Sequence, residues 1–172
     1  MTVAAHQRLR QRHDVGDGSY SIRAEDVSEL PSPFEDGNGL ISTAPDAATV
    51  ITGLNTGDIW LTVETWDTEP PTELQDWDAV VEVPYTSTTG DAQIFEEWTD
   101  NDRPPFPNLA TAGPGSYRLR AHARGRDTGR QADLIEPNEE PVEEHLLQIW
   151  PDTERPIAIL KMTDQVGAET LS

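Results

Sequence analysis

The residues of this sequence that could do chemistry are carboxylates and a few histidines, because the chain contains no cysteine. Without a thiol, neither nucleophilic thiol chemistry nor a thiolate metal site is possible. Adjacent acids recur, as at Asp76/Asp78 and Glu96/Glu97, and two carboxylates facing each other across a cleft would suit a glycosidase. In a chain with 32 acidic residues such neighbours are expected by chance, so they do not predict catalysis.

The four histidines are His6, His13, His122 and His145, and none has the H-E-x-x-H spacing of a zinc protease. His122 and His145 could be neighbours across two strands, which would make them candidate metal ligands, but such residues are more often ordinary strand histidines. The stretch at 100–102 begins like a calcium loop and lacks the required glycine and closing glutamate. We therefore predict no metal site and no cofactor.

Sequence motifs of catalysis and of phosphate binding are absent. The chain has no G-x-x-x-x-G-K-[ST] loop, no G-x-G-x-x-G and no G-x-S-x-G nucleophile elbow. The sequence therefore predicts a protein that binds a partner and is not an enzyme.

The net charge indicates what kind of partner this would be. With 32 acidic and 12 basic residues the formal charge is −20, so the protein should repel nucleic acid and attract a basic protein, faster at low salt. The alternative is that the charge serves solubility or adaptation to a salty cytoplasm. No apolar run approaches the roughly 18 residues of a membrane span, and the first residues lack a signal-peptide stretch. We expect a cytoplasmic protein without a membrane partner.

Aromatic residues beside the acids suggest where a partner would bind. Trp77 lies between two aspartates and Trp98 follows two glutamates, and tryptophan is favoured at binding hot spots. The alternatives are core packing, or stacking on a sugar ring in a carbohydrate-binding module. The predicted partner-binding residues are Asp76, Trp77, Asp78, Glu96, Glu97, Trp98, Asp100 and Asp102.

The elements that must position these residues read as strands. Residues 117–124 alternate between apolar and polar side chains, so that tyrosine, leucine and two alanines share one face and three arginines and a histidine share the other. Those arginines could bind a phosphate or carboxylate ligand. We favour the simpler interpretation, in which they pair with acids on a neighbouring strand, such as Glu82 or Glu144.

The other candidate strands are short and are separated by segments rich in proline, glycine, aspartate and asparagine. We expect Ala79–Pro84 to be a strand that its proline ends. The remaining candidates are Tyr20–Arg23, Leu40–Ser42, Val50–Thr52, Ile59–Trp66, Ala92–Phe95, Leu146–Trp150 and Ile157–Leu160. This pattern predicts an all-β fold, a two-layer antiparallel β-sandwich of about eight or nine strands with little helix.

The ends of the chain and one internal stretch lack this pattern. We expect residues 1–16 to be a flexible basic N-terminal arm, residues 17–163 to be the β-sandwich domain, and residues 164–172 to be a flexible tail. The polar stretch Asp127–Glu144 predicts a long exposed loop. A short helix is possible within 91–99 or 140–147.

A family resemblance rests on five segments: Ser19–Ile22, Ile59–Glu64, Val81–Tyr85, Gly115–Leu119 and Leu146–Trp150. In these segments and in their order the chain resembles the competence protein J family, small bacterial proteins that inhibit a DNA-entry nuclease. The resemblance implies an inhibitor or immunity-type protein without catalytic residues. On physical grounds, a rigid acidic sandwich could occupy the basic cleft of a nuclease with carboxylates in place of phosphates.

Overall fold

The computed structural model describes residues 5–96 and 103–171, which form two β-sheets and two short helices. The six-stranded sheet has the order β1-β5-β9-β8-β6-β10, and the four-stranded sheet has the order β3-β4-β2-β7. The strands are β1 (Gln7–Val15), β2 (Ser19–Arg23), β3 (Ile41–Ala44), β4 (Ala47–Ile51), β5 (Gly57–Thr65), β6 (Ala79–Ser87), β7 (Gln93–Ile94), β8 (Gly115–Arg124), β9 (Glu144–Pro151) and β10 (Ala158–Met162). The helices are α1 (Arg126–Ala132) and α2 (Gln165–Thr170).

The two sheets pack face to face around one hydrophobic core. Ile22 and Val50 from the small sheet, and Leu61, Val81 and Leu119 from the large sheet, are fully buried in the same cluster. The strand pairs are antiparallel except β5 and β9, which run parallel. The predicted all-β fold is confirmed, with more strands than expected and one parallel pair.

The alternation predicted for β8 is also confirmed. Its apolar face belongs to the core, and its arginines pair with acids on the neighbouring strands. Arg118 and Arg120 both reach Glu82 on β6, at 3.0 and 2.8 Å, and Arg124 reaches Glu144 on β9 at 2.8 Å. The interpretation that these arginines are structural therefore holds.

The prediction that Pro84 ends its strand is wrong. Strand β6 continues to Ser87, and Pro84 lies opposite Arg118 of β8. On its other edge, β6 pairs with β10 only over Ala79–Glu82 in the described residues. A proline nitrogen has no hydrogen to donate and is tolerated at such an open edge.

The expected flexible N-terminal arm is, over residues 7–15, an edge strand. Strand β1 pairs with the whole of β5, from Gln7 opposite Thr65 to Val15 opposite Gly57. Its arginines resemble those of a solvated tail, but they form ion pairs with acids of β5 and β9. Between them Leu9 packs against the core, which fixes the strand.

Helix α2 occupies most of the stretch expected to be a flexible C-terminal tail. Asp164 caps it by accepting a hydrogen bond from the backbone N–H of Gly167 at 2.9 Å. The same carboxylate pairs with the buried guanidinium of Arg126, at 2.6 and 2.8 Å. Helix α1 begins at this arginine and takes up the start of the predicted loop at 127–144. The short helix that the sequence left possible is absent from the described parts of 91–99 and 140–147. No helix of the described residues is long and apolar enough to span a membrane.

Candidate functional site

The arginines of this acidic protein are engaged with its own carboxylates. Ten of the eleven form an ion pair among the described residues, and all ten lie outside the small sheet and its connections. The pairs are Arg8–Glu64, Arg10–Glu144, Arg12–Asp58, Arg103–Asp58, Arg118–Glu82, Arg120–Glu82, Arg124–Glu144, Arg126–Asp164, Arg130–Glu169 and Arg155–Asp152.

The small sheet and its connections, residues 16–56 and 88–96, contain almost no basic residues. We call this part the small-sheet layer. It holds nine acidic residues and one basic residue, Arg23, an excess of eight negative charges. Arg23 stacks over the ring of Phe95, its guanidinium carbon 3.6 Å from the ring centre. The acids are Asp17, Glu25, Asp26, Glu29, Glu35, Asp36, Asp46, Asp91 and Glu96.

A segment that we call the strap, residues 25–37, crosses the outer face of the small sheet. The hydroxyl of Thr49 on β4 donates to the carbonyl of Pro31 at 2.8 Å, and that of Ser42 on β3 donates to the carbonyl of Pro33 at 3.1 Å. The Asp36 carboxylate accepts from the backbone N–H of Thr43 at 2.9 Å. Hydrogen bonds to two strands therefore hold the strap in place, although it has no regular secondary structure.

The strap presents apolar side chains among carboxylates. Phe34 is 58% exposed and Leu30 is 40% exposed, and four acids of the strap (residues 25, 26, 29 and 35) are also exposed. An exposed aromatic residue on a fixed backbone is a typical anchor of a protein interface. The sequence did not predict this surface, because its prolines indicated only a connection between two strands. The signal available was Pro-Phe-Glu-Asp at 33–36, an aromatic beside acids.

The structure places Asp76 and Asp78 at the other layer. They line a cleft of about 340 Å³ together with Trp60, Arg124 and Glu144. Trp77, between them, is only 9% exposed. Its ring contacts that of His122 at a centroid distance of 5.2 Å and lies under the Arg124 guanidinium at 4.9 Å. Trp77 is therefore a packed residue and not the exposed anchor that its acidic neighbours suggested.

The remaining predicted partner-binding residues do not join this cleft. Glu96 lines a cleft of about 370 Å³ in the small-sheet layer, beside Arg23 and Phe95. The predicted residues Glu97, Trp98, Asp100 and Asp102 lie outside the described residues. The described acids of the predicted set thus belong to two separate clefts, because β6 and β7 belong to different sheets.

Three of the four described tryptophans are buried and offer no open face that could stack on a sugar. Trp66 and Trp150 are 8% and 1% exposed, so they pack as the core interpretation expected. Trp60 is partly exposed, but the Arg10 guanidinium covers one face of its ring at 4.1 Å. Its Nε1 donates to Glu140 at 2.9 Å, which fixes the indole further.

A buried hydrogen-bond chain is the arrangement closest to catalytic machinery. Tyr20 OH lies 3.0 Å from Nδ1 of His145, and His145 Nε2 lies 2.6 Å from the Glu143 carboxylate. Glu143 also accepts from the backbone N–H of Leu54 at 2.9 Å. Burial, reinforced by Glu143, raises the pKa of Tyr20 well above its usual 10. The hydroxyl keeps its proton, so the chain joins β2, β9 and the 52–54 loop rather than supplying a nucleophile.

The two histidines considered as metal ligands do not face each other. His145 is engaged in the buried chain, whereas His122 lies opposite Leu146 of β9 and its Nδ1 contacts the carbonyl of that residue at 3.0 Å. Within residues 5–96 and 103–171 no group of three or more potential ligands could hold a metal ion.

Comparison with known proteins gives a fold and no sequence family. No family model matches the chain, and no curated protein sequence matches it. The crystal structure of ComJ from Bacillus subtilis, an inhibitor of the DNA degrading activity of NucA, is similar with a TM-score of 0.57 and 13% identity, over 88% of this chain and 100% of ComJ. The structure of the crocagin biosynthetic gene J product is similar with a TM-score of 0.47 and 14% identity, over 86% of this chain and 99% of that one. The likeness to ComJ confirms, at the level of fold, the resemblance noted in the sequence.

Proposed function

We propose that this chain is an acidic, non-catalytic binding protein that inhibits a nuclease by covering its basic substrate site. The observation that carries the proposal is the segregation of charge. Nine acids and one arginine lie in the small-sheet layer, while the other ten arginines are consumed in ion pairs elsewhere. A charge that served solubility alone would not require one layer to be left without compensating cations.

The physical mechanism is competition with the phosphate backbone. A nuclease binds DNA with lysine and arginine side chains, and a layer with eight excess negative charges presents carboxylates to the same groups. Complementary charge speeds association and selects the orientation of docking. The similarity in fold to ComJ, which inhibits the DNA degrading activity of NucA, supports a nuclease as the partner.

The strap supplies the apolar part of the contact. Phe34 is its most exposed large apolar side chain, and the hydrogen bonds of Pro31 and Pro33 hold the backbone around it. A fixed backbone loses little conformational entropy on binding. Replacing Phe34 by alanine should therefore speed dissociation by roughly 30-fold, which corresponds to about 2 kcal/mol.

The described residues favour binding over catalysis. Their one chain of nucleophile, imidazole and carboxylate types is buried in the core, with Tyr20 at 5% and His145 at 0% exposure. Purified protein should therefore show no turnover on DNA or on a panel of polysaccharides. Turnover that Glu143→Gln abolishes in a folded variant would contradict the proposal.

A carbohydrate-binding module is the second candidate, because the cleft beside Asp76 and Asp78 contains a tryptophan. Arg10 already covers one face of that indole, which leaves the first candidate better supported. A glycan array probed at two salt concentrations separates the two. Tight, salt-insensitive binding of a neutral glycan would favour the module.

The direct test is inhibition of DNA cleavage. Basic nucleases from the source organism, together with NucA, are assayed with increasing amounts of the protein at 50 and 200 mM salt. We expect stoichiometric inhibition of at least one nuclease, weaker at the higher salt because exposed charges are screened. A complete absence of inhibition across the panel would refute the proposal.

A further inference from the structure

A small, partly enclosed cleft lies where the β1–β2 hairpin meets the strap. It has a volume of about 170 Å³ and is lined by His13, Asp17, Tyr20, Leu30 and Phe95, with Asp14, Gly16, Ser19, Ser21 and Thr49 completing it. Sites for drug-sized ligands begin at roughly 300 Å³. The cleft is thus too small for such a ligand, and its size suits a single side chain.

His13 gives this cleft an unused polar atom. The residue is 3% exposed, and its Nε2 has no hydrogen-bond partner among the described residues. Its ring lies edge-on to the rings of Tyr20 and Phe106, at centroid distances of 5.7 and 5.8 Å. Buried polar atoms nearly always have a partner, so an unpaired nitrogen on a residue that lines a cleft points to a group that binds beside it.

The ring of His13 is neutral at physiological pH, which favours a cationic ligand. Burial lowers its pKa to about 4; Asp58 acts in the opposite direction, and Arg103 and His145 add to the lowering. In the tautomer that carries hydrogen on Nδ1, Nε2 accepts a hydrogen bond. Arg103 lies 3.5 Å from the Asp58 carboxylate, so its charge is balanced locally.

Phe95 shows how a cation is bound at this edge of the molecule. The Arg23 guanidinium lies 3.6 Å from the centre of its ring. Both residues line the separate cleft that contains Glu96. Phe95 also lines the His13 cleft. Aromatic faces attract guanidinium groups by cation–π and stacking interactions.

We propose that the His13 cleft receives the guanidinium group of an arginine side chain from the partner protein. The planar group can lie along Phe95 while its N–H groups reach the His13 lone pair and the Asp17 carboxylate. Asp17 is exposed at the hairpin turn and has no cation partner among the described residues. The proposal rests on the proposed function only in that the arginine belongs to the inhibited nuclease.

A small-molecule titration tests the cleft by itself. The full chain is titrated with N-acetyl-arginine methylamide, and with N-acetyl-citrulline methylamide as the neutral compound of the same shape, while NMR follows the His13 imidazole and the Asp17 amide. We expect saturable shifts at both positions with arginine, with a dissociation constant on the order of 10 mM, and none with citrulline. Equal shifts with both compounds, or shifts located elsewhere, would overturn the proposal.

Two variants sharpen the test. Asp17→Asn should weaken arginine binding about threefold, whereas Asp26→Asn, the same charge change on the strap outside the cleft, should alter it little. Leu30→Arg places the protein's own guanidinium at the cleft and should abolish the shifts; this variant decides the matter if Asp17→Asn does not fold. Arginine binding that Leu30→Arg leaves intact refutes the proposal.

Nuclease assays separate this proposal from the function it deepens. If the protein inhibits a nuclease but does not bind arginine, the arginine site is refuted and the inhibitor function stands. If the protein binds arginine but inhibits no nuclease, the arginine site stands and the inhibitor function is refuted.

Discussion

Glu82 lies between two buried arginines, and this arrangement shows how the sheet tolerates charged residues on the face turned away from the core. Arg118 and Arg120 are 2% and 0% exposed, and both reach the carboxylate of Glu82. Their other N–H groups donate to backbone carbonyls of the segments that cover this face, among them Pro71 and Pro156. Each buried guanidinium therefore has several partners, and only one of these is charged.

Removing that carboxylate should be costly. Burial opposes ionisation of Glu82, but the hydrogen bonds from Arg120 and Arg118 outweigh it and lower the pKa of this carboxyl. Glu82→Gln leaves two buried cations uncompensated, so we expect the free energy of unfolding, measured in urea, to fall by about 3–5 kcal/mol.

The matched control is Glu169→Gln, which breaks the exposed pair with Arg130 and should cost no more than about 1 kcal/mol. An equal loss in the free energy of unfolding in the two variants would show that burial does not make the Glu82 ion pairs more important than an exposed pair.

Two buried histidines should make the stability of the fold depend on pH. Burial lowers the pKa of both His13 and His122 to about 4, against 6.5 in an unfolded chain. Between pH 6.5 and 4 the unfolded state binds protons that the folded state does not, so stability falls as the pH falls, by about 1.4 kcal/mol per pH unit for each histidine. His122→Gln should lower this slope by up to about 1.4 kcal/mol per pH unit in urea unfolding at pH 6.5 to 4.5. The exposed His6→Gln is its control, and an unchanged slope in His122→Gln would contradict the assignment.

At the scale of the elements, the sequence predicts the strands whose apolar residues alternate and misses the strand whose partners are distant. Strand β8 could be predicted because Tyr117, Leu119 and the alanines fall on one face. Strand β1 could not, because its pattern of arginines becomes that of a strand only when Glu64 and Glu144 lie across from it. Those pairings span 56 and 134 residues of sequence, beyond any local pattern.

The status of β1 can be measured by truncation. Deleting residues 1–12 removes most of the strand and exposes the edge of β5, so the melting temperature followed by circular dichroism should fall by about 10 °C. Deleting residues 2–5 leaves β1 whole and should change the melting temperature little. Equal melting temperatures for the two truncations would restore the expectation of a flexible arm.

The sequence predicts the kinds of residue in the candidate site, acids beside aromatics, but not where on the fold they lie. Acid-flanked aromatics are visible in the sequence, but Trp77 is packed under Arg124, and Phe34 stands exposed. Which aromatic is covered depends on the segments that cross each sheet. The orphaned nitrogen of His13 likewise follows from burial by Tyr20 and Phe106, which no spacing rule shows.

At the scale of the whole molecule, net charge and charge placement make separable contributions to binding. Long-range attraction depends on the total charge of −20, whereas orientation at contact depends on where the unpaired acids lie on the surface. Two variants with the same net charge and different distributions therefore distinguish a binding surface from a generally acidic protein.

We expect neutralisation of the strap to slow association far more than the same change elsewhere. The strap variant is Glu25→Gln, Asp26→Asn, Glu29→Gln and Glu35→Gln. The control variant neutralises four exposed acids outside the small-sheet layer: Asp67→Asn, Glu73→Gln, Glu136→Gln and Glu154→Gln. Stopped-flow association with the inhibited nuclease at low salt should slow about tenfold for the strap variant and less than about threefold for the control. Equal slowing would mean that only the net charge matters.

The position of β9 has a consequence for how the chain matures. Strand β9 lies between β5 and β8 in the large sheet, parallel to the first and antiparallel to the second, yet it begins only at Glu144. During synthesis, β5 and β8 therefore emerge with their facing edges unpaired, and open strand edges are sites of aggregation. The central pairing joins segments far apart in sequence, which slows folding. Until β9 has left the ribosome, the large sheet cannot be completed. Binding of a chaperone to the nascent chain would therefore prevent aggregation most effectively during this interval.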